Sequence, residues 1–192
     1  MLRKNLKNIQ ASWAQCSPAT REGVKNGLLE IFKTEEVRPV RKAVSDAIGT
    51  LSELLLKNKS WPELIPALLT VASSAHEAQR ESVLAMLENL CEFSVHSIPE
   101  HLNTIKQVIM SAFQDKDGVR IAALKASVSL LLAVDEEDRV HMADCVPLMF
   151  GTMMQVYEAG GDEDLLSEGV CWCVFVVCCG VYVRVCVRTQ SC

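Results

Sequence analysis

Val37-Arg38-Pro39-Val40-Arg41-Lys42-Ala43-Val44-Ser45-Asp46-Ala47-Ile48-Gly49-Thr50-Leu51 is the stretch that decides the fold. Val40, Val44, Ala47, Ile48 and Leu51 recur there at spacings of three and four, and Leu55 continues the series. That period puts them on one side of a helix, as an apolar stripe that needs a partner. The same pattern returns downstream. Gln79-Arg80-Glu81-Ser82-Val83 and Val119-Arg120-Ile121-Ala122-Ala123 repeat Val40-Arg41-Lys42-Ala43-Val44, with the arginines 39 and 40 residues apart. Between them, Trp61-Pro62-Glu63-Leu64-Ile65-Pro66 matches Ile98-Pro99-Glu100-His101-Leu102-Asn103 at an offset of 37. Pro147, in Cys145-Val146-Pro147-Leu148, follows Pro66 by 81 residues, about two periods. A period near 40 residues is that of solenoids built from helix pairs.

Further stripes fill the period. Leu64, Ile65, Leu68, Leu69 and Ala72 form one, and Val83, Leu87, Leu90 and Cys91 the next. Ile98, Leu102, Ile105, Ile109, Ala112 and Phe113 follow, then Ala123, Ala126, Leu130 and Val134, then Val146, Met149, Met153 and Val156. Ser60 before Trp61-Pro62-Glu63 and Ser97 before Ile98-Pro99-Glu100 read as helix caps with proline in the first turn. Asp115-Lys116-Asp117-Gly118 reads as a tight turn in which Gly118 supplies unusual dihedrals. Asp135-Glu136-Glu137-Asp138 suits a helix start, where carboxylates meet the positive end of the dipole. The predicted fold is all-α, an α-solenoid of about four antiparallel helix pairs near 20–56, 60–93, 97–134 and 138–168, ending in an irregular apolar tail over 169–192.

The chain has 192 residues, 49% of them hydrophobic, and a net charge of -5. Aliphatic side chains at that level exclude a disordered tail, and 9 Gly with 6 Pro exclude a collagen or linker. A pI near 5.4 speaks against a basic nucleic-acid binder. Charge is uneven along the chain: residues 1–60 hold 11 basic and 6 acidic side chains, residues 61–192 hold 8 and 18. Cys16, Cys91 and Cys145 are scattered, as in proteins of a reduced compartment, and Met1-Leu2-Arg3-Lys4-Asn5-Leu6 has no signal-peptide core.

The repeat resembles the HEAT repeat, whose hallmark is Asp-x-x-x-x-Arg across the turn between helices. Asp115 and Arg120 hold those places. In HEAT proteins that Asp and that Arg pair between neighbouring repeats as a ladder, a role the resemblance extends to Arg41 and Arg80. The other turns depart from the hallmark: Glu36 stands near the Asp place before Arg41, and Ser74 or Ala75 replaces it before Arg80. Residues 37–51 followed by Trp61-Pro62-Glu63-Leu64-Ile65-Pro66 resemble the importin-β superfamily of karyopherins, most of all its importin-4 and importin-5 branch. Leu2-Arg3-Lys4-Asn5-Leu6 with Trp13, Thr20-Arg21 through Leu29, and Arg80-Glu81 through Glu92 fit the same family. The resemblance spans roughly residues 2–168 and, since the family's receptors are several times longer, implies a fragment, a truncated isoform or a partial gene model.

The resemblance implies nuclear import of proteins: cargo bound on the solenoid's inner surface, release by the GTP form of the Ran GTPase, and contact with Phe-Gly nucleoporins on the outer surface. It implies a monomer that shuttles between cytoplasm and nucleus, with no membrane and no direct nucleic-acid contact. Ran binding in the family lies mainly on the second helices of the first repeats. There, Lys42, Asp46 and Glu53 lie off the apolar stripe of one helix, and Glu81, Glu88 and Glu92 off the stripe of another. A solvated face is the competing reading of these charges. A generic HEAT scaffold for protein complexes and a non-functional partial gene product are the alternative functions.

No nucleophile elbow, P-loop, dinucleotide-binding glycine set or HExxH is present. His96 and His101 are five residues apart and share no helix face. The expectation is therefore a non-enzyme with no cofactor and no metal. Residues 169–188 are composed of Gly, Val, Cys, Trp or Phe at 17 of 20 positions, the composition that translating a TG-rich tract would give, and are read as lying outside the native fold. The uncharged run Val170–Val183 falls short of the roughly 20 residues a membrane span needs. Cys171-x-Cys173 with Cys178-Cys179 departs from zinc-site spacing.

Overall fold

The computed structural model describes residues 2–91 and 99–160. Among them nine α-helices follow one another: α1 (Leu2–Gln15), α2 (Pro18–Thr34), α3 (Arg38–Leu55), α4 (Leu64–Val71), α5 (Glu77–Cys91), α6 (Leu102–Ala112), α7 (Asp117–Ala133), α8 (Glu136–Arg139) and α9 (Val146–Glu158). Single tighter turns occupy Leu56–Asn58 and Pro99–His101, a longer tight helical stretch occupies Val140–Cys145, and no strand occurs among the described residues. Glu92, the Ser97-Ile98 start signal and the 169–192 tail lie outside the described residues.

Helix α2 packs on α3, α4 on α5, and α6 on α7. These hairpins stack in series. The second helices α3, α5 and α7 touch in order as one layer, and α2, α4 and α6 touch in order as the other. Beyond them, α6 meets the Val140–Cys145 turn and α7 meets α9. Each pair touches its neighbours in the sequence, so the molecule is an α-solenoid.

The seam between the layers is aliphatic. Phe32, Ile48, Leu64, Leu68, Leu84, Ile105, Ile109, Leu124 and Leu130 are each almost fully buried along it, and Trp61 fills the turn between α3 and α4. Burying one such aliphatic side chain stabilises by about 1.5–3 kcal/mol. The seam is sufficient to hold helices as short as the eight residues of α4, which would not persist alone.

Three local expectations are corrected. First, the buried side of α3 is Arg41, Ile48, Leu51, Ser52 and Leu55, while Val40 and Ala47 face out. Arg41 is drawn inward because its Nη1 donates to the Glu35 carbonyl at 3.0 Å, and this turns Val40 toward solvent. Second, α4 begins at Leu64 rather than at Trp61. Lys59 takes a left-handed φ of 51°, and Ser60 Oγ donates to the Asn58 carbonyl instead of capping a helix. Third, Gly118 lies in the first turn of α7 rather than in a left-handed turn. A Cβ there would make ordinary contact with Glu81 Oε2 at 3.6 Å, so neither dihedral nor space demands glycine at this position. A cap the stripe analysis passed over is Ser17, whose Oγ accepts from Thr20 N at 3.1 Å ahead of Pro18.

Candidate functional site

A solenoid offers surfaces rather than a cleft, so the candidate site is the second-helix layer with the polar bonds that fix its spacing. Those bonds begin where the helices end. The last carbonyls of a helix lack intrahelical donors and carry partial negative charge, which suits a guanidinium. Arg21 donates to the Trp13 and Ala14 carbonyls at 3.0 and 2.9 Å. Arg41 donates to the Glu35 carbonyl, and Arg80 Nη1 to the Ser74 and Ala75 carbonyls at 2.8 and 3.0 Å. Arg139 donates to the Leu131 carbonyl at 2.9 Å.

Arg80 also reaches the next pair. Its Nε and Nη2 meet Asp115 Oδ2 and Oδ1 at 2.6 and 2.8 Å, a fork-on-fork pair with both side chains about four-fifths buried. Asp115 Oδ1 further accepts from Lys116 N at 2.8 Å. Hydrogen bonding from Arg80 holds the Asp115 carboxyl below its usual range against an opposing effect of burial, and the same bond raises Arg80. Arg41 has no such acid opposite, because Ser74 and Ala75 stand where the carboxylate would be. Gln79 bridges that boundary instead: its Nε2 donates to the Lys33 carbonyl at 2.7 Å, while its Oε1 accepts from Ser74 Oγ. Sequence reading passed over Gln79, since a buried glutamine has no signature apart from the missing acid before it. Arg120 turns to Asp117 of its own helix through Nη2.

The charges named on the second helices fall as follows. Lys42 and Asp46 are exposed on α3, and Glu53 is half-buried there. On α5, Glu81 faces Arg38 across the pair boundary at 3.6 Å and lies over Gly118. Glu88 is half-buried on the same helix. Glu77, which the stripe analysis did not name, meets Lys116 at 2.9 Å, and that contact raises the Lys116 ammonium. Two lateral ion pairs thus cross the layer, Arg38–Glu81 and Glu77–Lys116, beside the Arg80–Asp115 pair. Among the described residues no group of three His, Cys, Asp or Glu is placed to hold a metal ion. Nor is any helix there long and apolar enough to cross a membrane.

On the first-helix layer, α4 and α6 part to leave a groove of about 380 Å³. Leu69, Ala72, Val108 and Ala112 make its apolar sides, and the Arg80–Asp115 pair lies at one end. A second groove of about 410 Å³ opens between α1, α2 and the end of α3, walled by Trp13 and Leu54. Lys25 is buried there, donating to the Ser60 carbonyl at 3.2 Å and meeting Glu22 at 2.6 Å.

Stacked helix pairs joined by cross-pair bonds define an α-solenoid. The particular family follows from comparison: a family model described as "IPO5-like, TPR repeats" matches residues 36–174, and the chain belongs to that family, the importin-β group of solenoid proteins. Importin subunit beta-3 of Saccharomyces cerevisiae is 26% identical over 145 residues, covering 75% of this chain and 13% of that protein. The probable importin-5 homolog of Dictyostelium discoideum is 21% identical over 150 residues, covering 77% of this chain and 14% of its own. The chain therefore spans about one-seventh of the length of these relatives. The crystal structure of Kap121p superposes with a TM-score of 0.68 at 23% identity, over 86% of this chain and 16% of Kap121p. Kap121p bound to Nup53p gives 0.67 at 22%, with the same shares covered. These structures share the fold.

Proposed function

We propose that this chain supplies one stretch of a nuclear import receptor and moves between cytoplasm and nucleus with it. Membership in the importin-5-like family over residues 36–174 carries the reading. The second-helix layer is the proposed inner surface. Its charges Lys42, Asp46, Glu53, Glu81 and Glu88 supply the contacts for the GTP form of Ran and for cargo proteins, in competition with each other. The Arg80–Asp115 pair is the rung that holds that layer in register, while Arg41 fixes the turn ahead of its own helix. The apolar groove between α4 and α6 is the proposed seat for the aromatic rings of Phe-Gly nucleoporins, since its sides are small and aliphatic and its rim is polar. Kap121p has been crystallised with Nup53p, with Ulp1p and with Ste12p, which supports a role in holding protein partners.

The test is capture of Ran by the purified chain, loaded with GTP or with GDP. Retention of the GTP form alone, weakened by Glu81→Lys, supports the receptor reading. Equal retention of both forms, or of neither, removes Ran from it and leaves a protein scaffold.

A further inference from the structure

Arg41 is a buried charge without a counter-ion. It is 4% exposed, its guanidinium bonds only the Glu35 carbonyl, and among the described residues no carboxylate pairs with it. A guanidinium so enclosed is unfavourable until an anion meets it. The next repeat shows what the place calls for. Both arginines give Nη1 to the carbonyl six residues back, Glu35 for Arg41 and Ser74 for Arg80, so the two guanidinium groups are set alike. Arg80 gives Nε and Nη2 to Asp115, which stands five residues before Arg120. Five residues before Arg80 stands Ala75, which has no acceptor, and Ser74 adjoins it.

Ser74 lies in the turn between α4 and α5, half-buried, with Ser73, Ala75 and His76 exposed around it. Its Oγ donates to Gln79 Oε1 and accepts from His76 N at 3.1 Å. Gln79 Nε2 in turn reaches the Lys33 carbonyl, two residues before the Glu35 carbonyl that holds Arg41, so the hydroxyl stands at the boundary Arg41 belongs to. Glu77 is the third residue beyond Ser74, the spacing that acidophilic protein kinases read. We propose that Ser74 is a phosphorylation site and that its phosphate is the counter-ion Arg41 lacks. Ser74 Oγ attacks the terminal phosphorus of a nucleoside triphosphate held by the kinase. The new O–P bond replaces the bridging one, the nucleoside diphosphate leaves, and the hydroxyl proton passes to the kinase's base. The phosphoester oxygen no longer donates to Gln79, while the phosphate oxygens accept from Arg41 Nε and Nη2. The carboxylates at the start of α5 are already engaged, Glu77 by Lys116 and Glu81 by Arg38, which leaves Arg41 to the phosphate. Modification thereby stiffens the boundary between α3 and α5, whichever partner the layer holds.

The test treats the full 192-residue chain with an acidophilic protein kinase and ATP and maps the phosphate by peptide mass spectrometry. Urea unfolding is then compared with and without phosphate, in the unmutated chain and in Arg41→Met, and hydrogen exchange over residues 36–48 is read on the unmutated chain in both forms. The expected result is phosphate on Ser74, absent from Ser74→Ala. The unfolding constant falls about tenfold on modification when Arg41 is present and does not fall in Arg41→Met. Exchange over 36–48 slows on modification. Phosphate on Ser73 instead, or none on either serine, overturns the proposal. So does an equal effect of the phosphate with and without Arg41. Unaltered exchange over 36–48 overturns it too, and that comparison decides alone if Arg41→Met does not fold.

Discussion

Replacing Asp115 by alanine removes the acceptor of both Arg80 bonds and of Lys116 N at once. The magnitude follows from where the pair sits. An exposed ion pair contributes about 0.2–1 kcal/mol, whereas stranding one partner of a fully buried pair costs about 3–5 kcal/mol. Both side chains here retain about a fifth of their exposure, and Arg80 keeps its bonds to the Ser74 and Ala75 carbonyls, so its charge is not stranded. The expected loss is therefore about 2 kcal/mol, roughly thirtyfold in the unfolding constant. Asp115→Asn keeps one acceptor oxygen and loses about half as much. The folded carboxyl titrates below its unfolded value, so its stabilisation is present above that value and is lost as pH falls through the folded one. Urea unfolding at pH 7 and again down through the usual carboxylate range of about pH 4 measures both effects. The difference between the unmutated chain and Asp115→Ala narrows toward acid. A loss under about 0.5 kcal/mol at pH 7, or a difference that does not change with acid, refutes the reasoning that this pair joins the two repeats.

Gln79→Ala leaves the Lys33 carbonyl without its donor and costs about 1 kcal/mol in the same urea assay, while Gln79→Glu costs more because a carboxylate cannot donate. Leu68→Ala empties a fully buried site between the layers and lowers stability by about 2–5 kcal/mol with little change in the steepness of unfolding. Cys145 is enclosed and its thiol is pushed up to about 11 by burial, so it resists alkylation at pH 8 in the native chain, whereas the less buried Cys16 is labelled first. Peptide mass spectrometry separates the two sites, and equal labelling rates would count against the burial of Cys145.

Periodicity carried most of the fold. The stripe of α6 stands in the sequence at the spacings its burial shows, whereas α5 and α7, packed between neighbours, also bury Leu84, Met86, Leu124 and Leu131 off their stripes. Where a helix has unequal neighbours the stripe misleads. Val40 belongs to the α3 pattern by spacing, yet Arg41 beside it is the buried residue, since a carbonyl at the end of α2 draws it in. Helix starts were read less well than helix faces. Ser60 and Pro62 look like a cap, but Trp61 is buried in the core first and Pro62-Glu63 makes a turn before α4 begins. Among the site residues, Arg80 and Asp115 were visible as members of a repeated pattern, while their meeting each other depends on a 35-residue separation that only stacking closes. Gln79 was invisible because its role is compensation, and compensation is legible only once the missing acid at Ser74–Ala75 is placed opposite it.

That compensation bears on how such a surface works. Contacts in a solenoid are between neighbours, so each boundary sets its own resistance to bending. The boundary between α5 and α7 has a two-bonded ion pair and the Glu77–Lys116 contact. The boundary between the α2–α3 pair and α5 has one amide bond, from Gln79 to Lys33 of α2, and the long, exposed Arg38–Glu81 contact. Charged forks are stiffer in direction than single amide bonds, and exposed contacts at 3.6 Å hold little geometry. The layer that carries Lys42, Asp46 and Glu81 therefore yields at the α3–α5 boundary before it yields at α5–α7. A partner that spans both helices can adjust their spacing there at small cost, and restoring an acid at Ser74 to face Arg41 would remove that freedom while raising stability. Urea unfolding and partner capture on Ser74→Asp separate the two effects, and a variant that gains neither stability nor rigidity in hydrogen exchange across α3 would show that the amide bond already does all an ion pair could.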